Sequence, residues 1–393
     1  MNPEIEKYAQ RMPAEKVREI MPRRMAHIMA GAPVPPRLDW AANVTAAALH
    51  PEEQYLVVSE VIEREGGAKS FVFVPDAEKG TNALSPFCPG HFLNFKLKIG
   101  DSTIARDYSI CCPASWAGAG KYMITVKPSA DGFAGNWICE NWKAGTPVLA
   151  SAPLGEFTYS RLRDSSNIVG VCGGSGVTPF YSMAASIAEG SLNARLTLIY
   201  GSRSREDAML IGELEKLADT CDKFKLVSVI GDPISADIIK AAAPEGDYSL
   251  FVCGPLGMLK YLETQIPLLG LPGRRIRKKT VGVTSAALEE GWDPALAGKV
   301  FDLTVNLRDK SVTVPCAAEE SILVAMERAG LNPPSHCRSG ECGWCRSKLI
   351  SGEVFVPERN DGRRYSDKEH GYIHPCATFP VSDLVIDVPG EYY

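Results

Sequence analysis

The chain has 393 residues, 45% hydrophobic and 23% charged, with a formal net charge of −5. That length exceeds what one hydrophobic core normally supports, and the balanced charge points to neither nucleic acid nor an anionic membrane surface. No apolar run reaches the ~18 residues that span a bilayer.

The N-terminus lacks the apolar stretch of a secretory signal, and Glu4, Glu6, Glu15 and Glu19 argue against an acid-poor transit peptide, so the expected location is the cytoplasm. Residues 1–53 read as a helical leader. Ile5, Tyr8, Met12, Val17, Ile20 and Met21 recur at helical spacing before the proline-rich stretch 32–36, which predicts a packed accessory helix. From 54 to 160, short alternating stretches at 55–60, 70–74, 91–99, 106–110 and 122–126 predict a small antiparallel β-barrel. From 161 to 272, apolar runs at 167–172, 195–200, 224–230 and 248–253 alternate with helix-like segments at 180–188, 210–218, 236–242 and 256–265. That alternation predicts a doubly wound α/β domain with a parallel sheet. Residues 273–298 read as a linker opening on the basic run Arg274–Lys279, which predicts a solvated face. A hairpin (300–306, 311–315) and a helix (319–329) then lead into a cysteine-rich loop within a last domain, 299–393.

Eight of the twelve cysteines are scattered in apolar surroundings, and the other four fall in the last sixty residues. A disulfide framework belongs to short secreted chains, so a reducing compartment and one dedicated metal site are expected. Cys337, Cys342 and Cys345 are spaced C-x4-C-x2-C, with Cys376 farther on, the spacing of plant-type [2Fe-2S] ferredoxins. A structural zinc site would favour two paired C-x2-C knuckles, and only one is present. Ser339, Gly340 and Gly343 leave the loop free to curl around a cluster, and His336 and His374 are read as neighbours of the ligands.

Four other segments carry chemistry. Arg106-Asp-Tyr108-Ser109 lies on a predicted strand, and Gly132-Phe-Ala-Gly135-Asn136-Trp137 precedes a helix-like stretch. Cys172-Gly-Gly174-Ser-Gly176-Val-Thr178-Pro179 joins a strand to a helix, where glycines let the backbone approach a pyrophosphate at the helix start. Cys253-Gly254-Pro255 follows the last apolar run, and Ser202-Arg203 follows the second.

Together these motifs resemble the ferredoxin–NADP reductase family, with a C-terminal plant-type ferredoxin domain of the α+β β-grasp fold, in the domain order of oxygenase reductases. The resemblance implies that Arg106 pairs with a flavin phosphate, Tyr108 packs on the flavin ring and the Ser109 hydroxyl reaches the reactive ring nitrogen. It places Gly132, Gly135 and Asn136 at a phosphate, and FAD is favoured over FMN. Gly174, Gly176 and Thr178 would hold the dinucleotide, and Gly254 and Pro255 would lie beside the nicotinamide. Cys253 joins Ser109 as a catalytic candidate. Ser202 and Arg203 suit a 2′-phosphate, which favours NADPH over NADH. Many relatives cover the flavin with an aromatic residue after the nicotinamide domain. Here Trp292, Tyr392 or Tyr393 would have to do so, or the ring stays open.

The expected function is an NAD(P)H-dependent oxidoreductase passing electrons through flavin and a [2Fe-2S] cluster to a redox partner protein such as an oxygenase. The alternative is a self-contained reductase of a small molecule. The fused ferredoxin argues against that alternative, because flavin alone could reduce a two-electron acceptor.

Overall fold

The computed structural model describes residues 14–31, 39–100, 102–129, 132–281, 285–307 and 310–389. The chain divides into two units, 1–49 and 50–393. The first contains helices α1 (Ala14–Gly31) and α2 (Ala41–Leu49). No residue of α2 is buried, and Ile20 and Met25 of α1 are 45% and 47% exposed. Alanine gives α2 helical propensity without an apolar stripe to bury. Ile5, Tyr8, Met12 and the proline-rich stretch lie outside the described residues.

The second unit opens with six strands: β1 (Gln54–Glu63), β2 (Lys69–Pro75), β3 (Phe92–Ile99), β4 (Ser102–Ser109), β5 (Tyr122–Val126) and β6 (Pro147–Ala150). Their order is β4-β3-β6-β1-β2-β5, with antiparallel pairing throughout. A bridge between Ile110 and Ile124 and the bond from Cys111 N to Met123 O, 2.7 Å, bring the two ends of this sheet together as a barrel. Trp142 plugs it, meeting the rings of Phe71, Phe73 and Phe95 edge-on at 5.5, 5.7 and 5.3 Å. Two short helices, α3 (Ser115–Gly118) and α4 (Ala134–Asn141), decorate the barrel. Strand β6, whose four residues begin with a proline, has no counterpart among the predicted stretches, yet it lies between β1 and β3.

Five parallel strands follow: β7 (Asn167–Gly173), β8 (Arg195–Ser202), β9 (Phe224–Ile230), β10 (Ser249–Pro255) and β11 (Ile276–Val281), in the order β11-β10-β7-β8-β9. Helices α5 (Thr178–Ala188), α6 (Ile211–Thr220), α7 (Ala236–Ala242) and α8 (Leu256–Gln265) connect or flank them. The chain steps outward from β7 to β9 and then returns to the other side of β7. The strand order therefore reverses between β7 and β10, where ligands bind in such sheets. Residues 276–281, expected within a linker, instead form the fifth strand. The basic run concealed it, because three of its five cations find acidic partners distant in sequence: Arg275 with Asp247 at 2.5 Å, Arg277 with Asp164 at 2.8 Å and Lys278 with Glu263 at 3.5 Å.

The remaining elements are β12 (Val300–Leu307), β13 (Lys310–Ala317), α9 (Ile322–Arg328), β14 (Ser347–Ser351), β15 (Val354–Phe355), α10 (Tyr365–Glu369), β16 (Tyr372–Ile373), β17 (Phe379–Pro380) and β18 (Leu384–Val388). The main sheet runs β13-β12-β18-β14-β16 with β12 and β18 parallel, a β-grasp, while β15 and β17 pair separately. Ser321 caps α9, which buries Ile322, Leu323, Ala325 and Met326 in that domain's core.

Glu327 on the same helix is buried and reaches the barrel. Its carboxylate accepts from the Ala105 amide at 3.0 Å, from Arg106 at 3.0 Å and from Arg338 at 2.6 and 3.0 Å. Removing a carboxylate from such a group leaves two buried guanidinium ions without compensation. Glu327→Ala should therefore cost about 3–5 kcal/mol, read as a fall in thermal midpoint. Replacing Arg106, Glu327 and Arg338 together by Met, Leu and Met should recover most of it. A single variant that melts like wild type would show that the triad is dispensable.

Candidate functional site

Pairing in β4 sets Arg106 opposite Phe95, Tyr108 opposite Leu93 and Ser109 opposite Phe92. Arg106 donates to Ala105 O at 2.7 Å as well as to Glu327, so a phosphate there would share this guanidinium with a carboxylate. Tyr108 packs against the barrel core, 6.2 Å from Phe95, and burial pushes its hydroxyl pKa upward. Gly135, in the first turn of α4, lies behind it: a Cβ there would sit 3.9 Å from Tyr108 Oη. No side chain caps α4, so its first N–H groups are left for another acceptor. Both ends of the Asn136 amide are spent on Ser129, whose N–H it accepts at 3.0 Å and whose carbonyl it donates to at 2.9 Å. Gly132 closes the same turn, where a Cβ would fall 2.5 Å from Ser129 Oγ.

At the ends of β7 and β10 glycines let neighbouring groups pack close to the backbone. A Cβ on Gly176 would stand 2.1 Å from Cys253 O, and one on Gly254 would stand 2.6 Å from Met258 Cε. Gly174 has φ 53°, the left-handed region that glycine adopts freely. Thr178 donates its hydroxyl to Ser175 O at 2.9 Å, bracing the loop against the start of α5. Cys253 is buried, and burial pushes its thiol up to about 12, so it is a neutral group at physiological pH. Pro255 is exposed at the start of α8. Beyond β8, Ser202 donates to Ser204 O at 2.8 Å. Arg205 is held by Glu215 at 2.7 and 2.6 Å, whereas Arg203 is exposed and makes no ion pair among the described residues.

In the cysteine loop the sulfurs of Cys345 and Cys376 lie 3.4 Å apart. Hydrogen bonds from Cys342 and Cys376 hold the Cys337 thiol well below the ordinary thiol range, so the four sulfurs form one connected group. Backbone N–H groups already point at sulfur, Cys342 N to Cys337 Sγ at 3.3 Å and Trp344 N to Cys342 Sγ at 3.4 Å. Arg338, Gly340 and Gly343 take φ of 52°, 83° and 72°, which makes the loop curl. A Cβ on Gly340 would fall 2.0 Å from Asn360 O. His374 shares a hydrogen bond between Nδ1 and Gly340 O at 2.6 Å, and its ring lies against Gly343. Four thiols with amides aimed at them are the donor set of a [2Fe-2S] cluster.

A cavity of about 1770 Å³ lies between the barrel, β11 and the cysteine loop, lined by Phe92, Asp107, Lys279, Cys337, Cys342 and Trp344 among others. Arg106, Tyr108, Ser109, the glycine loop at 174–178 and the turn at 253–255 do not line it. Several residues around it were missed in the sequence. Lys279 reaches across from β11 and donates to Ser109 Oγ at 3.1 Å. Asp107 is pushed up to about 6 by burial, against the pull of Arg338 and Lys279. Asn94 ties the barrel to the cysteine loop through His336 O at 3.0 Å. Arg359 ties that loop to Glu289 at 2.8 Å and to Thr280 of β11 at 3.0 Å. A period-2 reading of 275–279 would have put Arg275, Arg277 and Lys279 on one face; Glu327 and Asn94 left no signal.

Comparison with known proteins agrees with this geometry. The family described as the 2Fe-2S iron-sulfur cluster binding domain matches residues 305–381, and the oxidoreductase NAD-binding domain matches 171–264. The ferredoxin reductase component of 3-ketosteroid-9-alpha-monooxygenase from Mycolicibacterium smegmatis is 33% identical, over 84% of this chain and 95% of that protein. The glycine betaine monooxygenase reductase subunit from Chromohalobacter salexigens is 26% identical over 84% and 93%. Phthalate dioxygenase reductase superposes with a TM-score of 0.63 at 24% identity, covering 86% of this chain and 98% of that one, and so shares the fold. Among the described residues no helix is long and apolar enough to cross a membrane. With flavin, nicotinamide and [2Fe-2S] regions in one chain and a relative of that identity along nearly its whole length, the protein belongs to the family of NAD(P)H-dependent ferredoxin reductase components of oxygenases.

Proposed function

We propose that this chain takes hydride from NADPH, holds FAD in its barrel and delivers single electrons through a [2Fe-2S] cluster to an oxygenase component in the cytoplasm. The observation that carries this is the shared cavity: Phe92 and Asp107 of the barrel, Lys279 of the nicotinamide sheet and Cys337 and Cys342 of the cysteine loop wall one space. Bound flavin supplies the conversion, accepting two electrons at once and passing them singly to a one-electron cluster.

The chain's own residues do the holding. Amides of Gly174 and Gly176 at the start of α5 face the pyrophosphate, Thr178 braces that loop, and Ser202 and Arg203 take the 2′-phosphate. Gly254 and Pro255 form the turn beside the nicotinamide, and Cys253 backs it as a neutral, water-excluding wall. Arg106 and the start of α4, through Gly132 and Gly135, answer the flavin's phosphates, with Asn136 shaping the turn. Tyr108 offers a flat face and Ser109 a hydroxyl for the ring nitrogen. Cys337, Cys342, Cys345 and Cys376 ligate iron.

Protein purified anaerobically should carry about two irons and two acid-labile sulfides, as this cluster type requires. Zinc in their place would sink the assignment. Cys345→Ser should still bleach its flavin with NADPH while losing most cytochrome c reduction; full cytochrome c activity would mean that the cluster is not the exit. Arg203→Ala removes a charge-assisted contact worth about 1.5–3 kcal/mol, so kcat/KM for NADPH should fall by roughly 10- to 100-fold. The value for NADH should stay within about twofold. Equal losses with both cofactors would remove Arg203 from the 2′-phosphate.

A further inference from the structure

Alternation along β11 sends Lys278 and Lys279 to opposite faces. Lys278 pairs with Glu263, but Lys279 turns to the barrel, where its Nζ is 3.1 Å from Ser109 Oγ and 4.8 Å from the centroid of the Phe92 ring. Among the described residues Ser109 is its sole hydrogen-bond partner, and it makes no ion pair within 4.0 Å. Burial pulls the Lys279 pKa down, Asp107 and Glu341 pull it back up from farther away, and His91, held down to about 4 by burial, is neutral beside it at physiological pH. Trp292, one candidate to cover the flavin, packs on Phe355 at 5.6 Å instead. Tyr392 and Tyr393 lie outside the described residues. Beside Ser109, then, stands a cation.

An ammonium in a confined place is costly unless something compensates for its lost hydration. Here three donors meet one hydroxyl, one aromatic face and the open cavity. Such an arrangement is favourable when electron density arrives next to it.

We propose that Lys279 is a positioning residue of the flavin site. An ammonium can only donate, so it engages a lone pair of Ser109 Oγ and leaves the Ser109 hydrogen free to point at the ring nitrogen. The same bond polarises the hydroxyl into a better donor. The fixed charge also favours the electron-rich reduced flavin over the oxidised one. No bond to Lys279 forms or breaks: hydride brings both electrons from the nicotinamide, and the lysine keeps its protons. The inference rests on the assignment of Ser109 to the flavin.

The test is the flavin midpoint potential of the holoprotein, measured by equilibration with reference dyes at equal flavin content. Lys279→Met should lower the ratio of reduced to oxidised flavin at a fixed poise about tenfold, which for a two-electron couple is ~30 mV. Lys279→Arg should restore most of it. Lys279→Gln, which keeps a donor without the charge, should fall between. Combined with Ser109→Ala, Lys279→Met should shift the potential by less than the sum of the two single changes. Should the Met variant lose its flavin, the Gln and Arg variants decide. An uncharged variant with full flavin and the wild-type potential overturns the proposal. If Ser109→Ala shifts the potential and the flavin absorption while Lys279→Met does not, only this inference fails. If neither variant moves either signal, the assignment of Ser109 fails as well.

Discussion

The carboxylate of Glu327 fixes how the cysteine-bearing domain addresses the barrel. It is buried, carries one negative charge and meets two guanidinium groups, one on barrel strand β4 and one beside Cys337. Two positive charges and one negative leave a surplus of one positive charge at the interface. Arg106 therefore keeps an electrostatic reason to bind an anion even while engaged by Glu327. The amide of Ala105 adds a backbone contact, so the carboxylate reads the edge of the strand as well as its charge. In a low-dielectric interface such a group is costly to break and specific in geometry, so it acts more as a register mark than as a source of net stability.

Close approach is the constraint on the nicotinamide side. The glycine loop meets the turn at 253–255 backbone to backbone at Gly176, where a Cβ would stand 2.1 Å from Cys253 O. The side chain of Met258 fills the remaining gap against Gly173 and Gly254, at the place where the strand order reverses. Cys253 serves this packing as a small buried side chain, and its neutral thiol adds no charge next to a cofactor that must gain and lose hydride.

Much of this was legible in the sequence, for physical reasons. The gathering of Cys337, Cys342, Cys345 and Cys376 was legible because three thiols converging from one short loop fix their spacing. The strands of the parallel sheet were legible because burial on both faces makes each an apolar run. What failed to show has physical causes too. Strand β6 has only four residues and opens on a proline, too short to show an alternating pattern. Strand β11 is dressed in cations whose partners, Asp164, Asp247 and Glu263, are distant in sequence. The turn that Asn136 closes on Ser129 did not show, because nothing in its motif marks a side-chain bond seven residues back. Glu327 was invisible because it sits on a helix whose apolar face belongs to another core, and its partners are more than two hundred residues away on one side.

The position of β11 has one more effect. It pairs with β10 alone and so forms the rim of the parallel sheet, a row of unpaired backbone groups that could template a strand from another molecule. Arg274 and Lys278 stand exposed along that rim. A second chain approaching to extend the sheet would have to strip water from these cations and bring like charges together. The segment that sends Lys279 inward thus also guards the sheet against aggregation, a protection most needed while the chain is only partly folded.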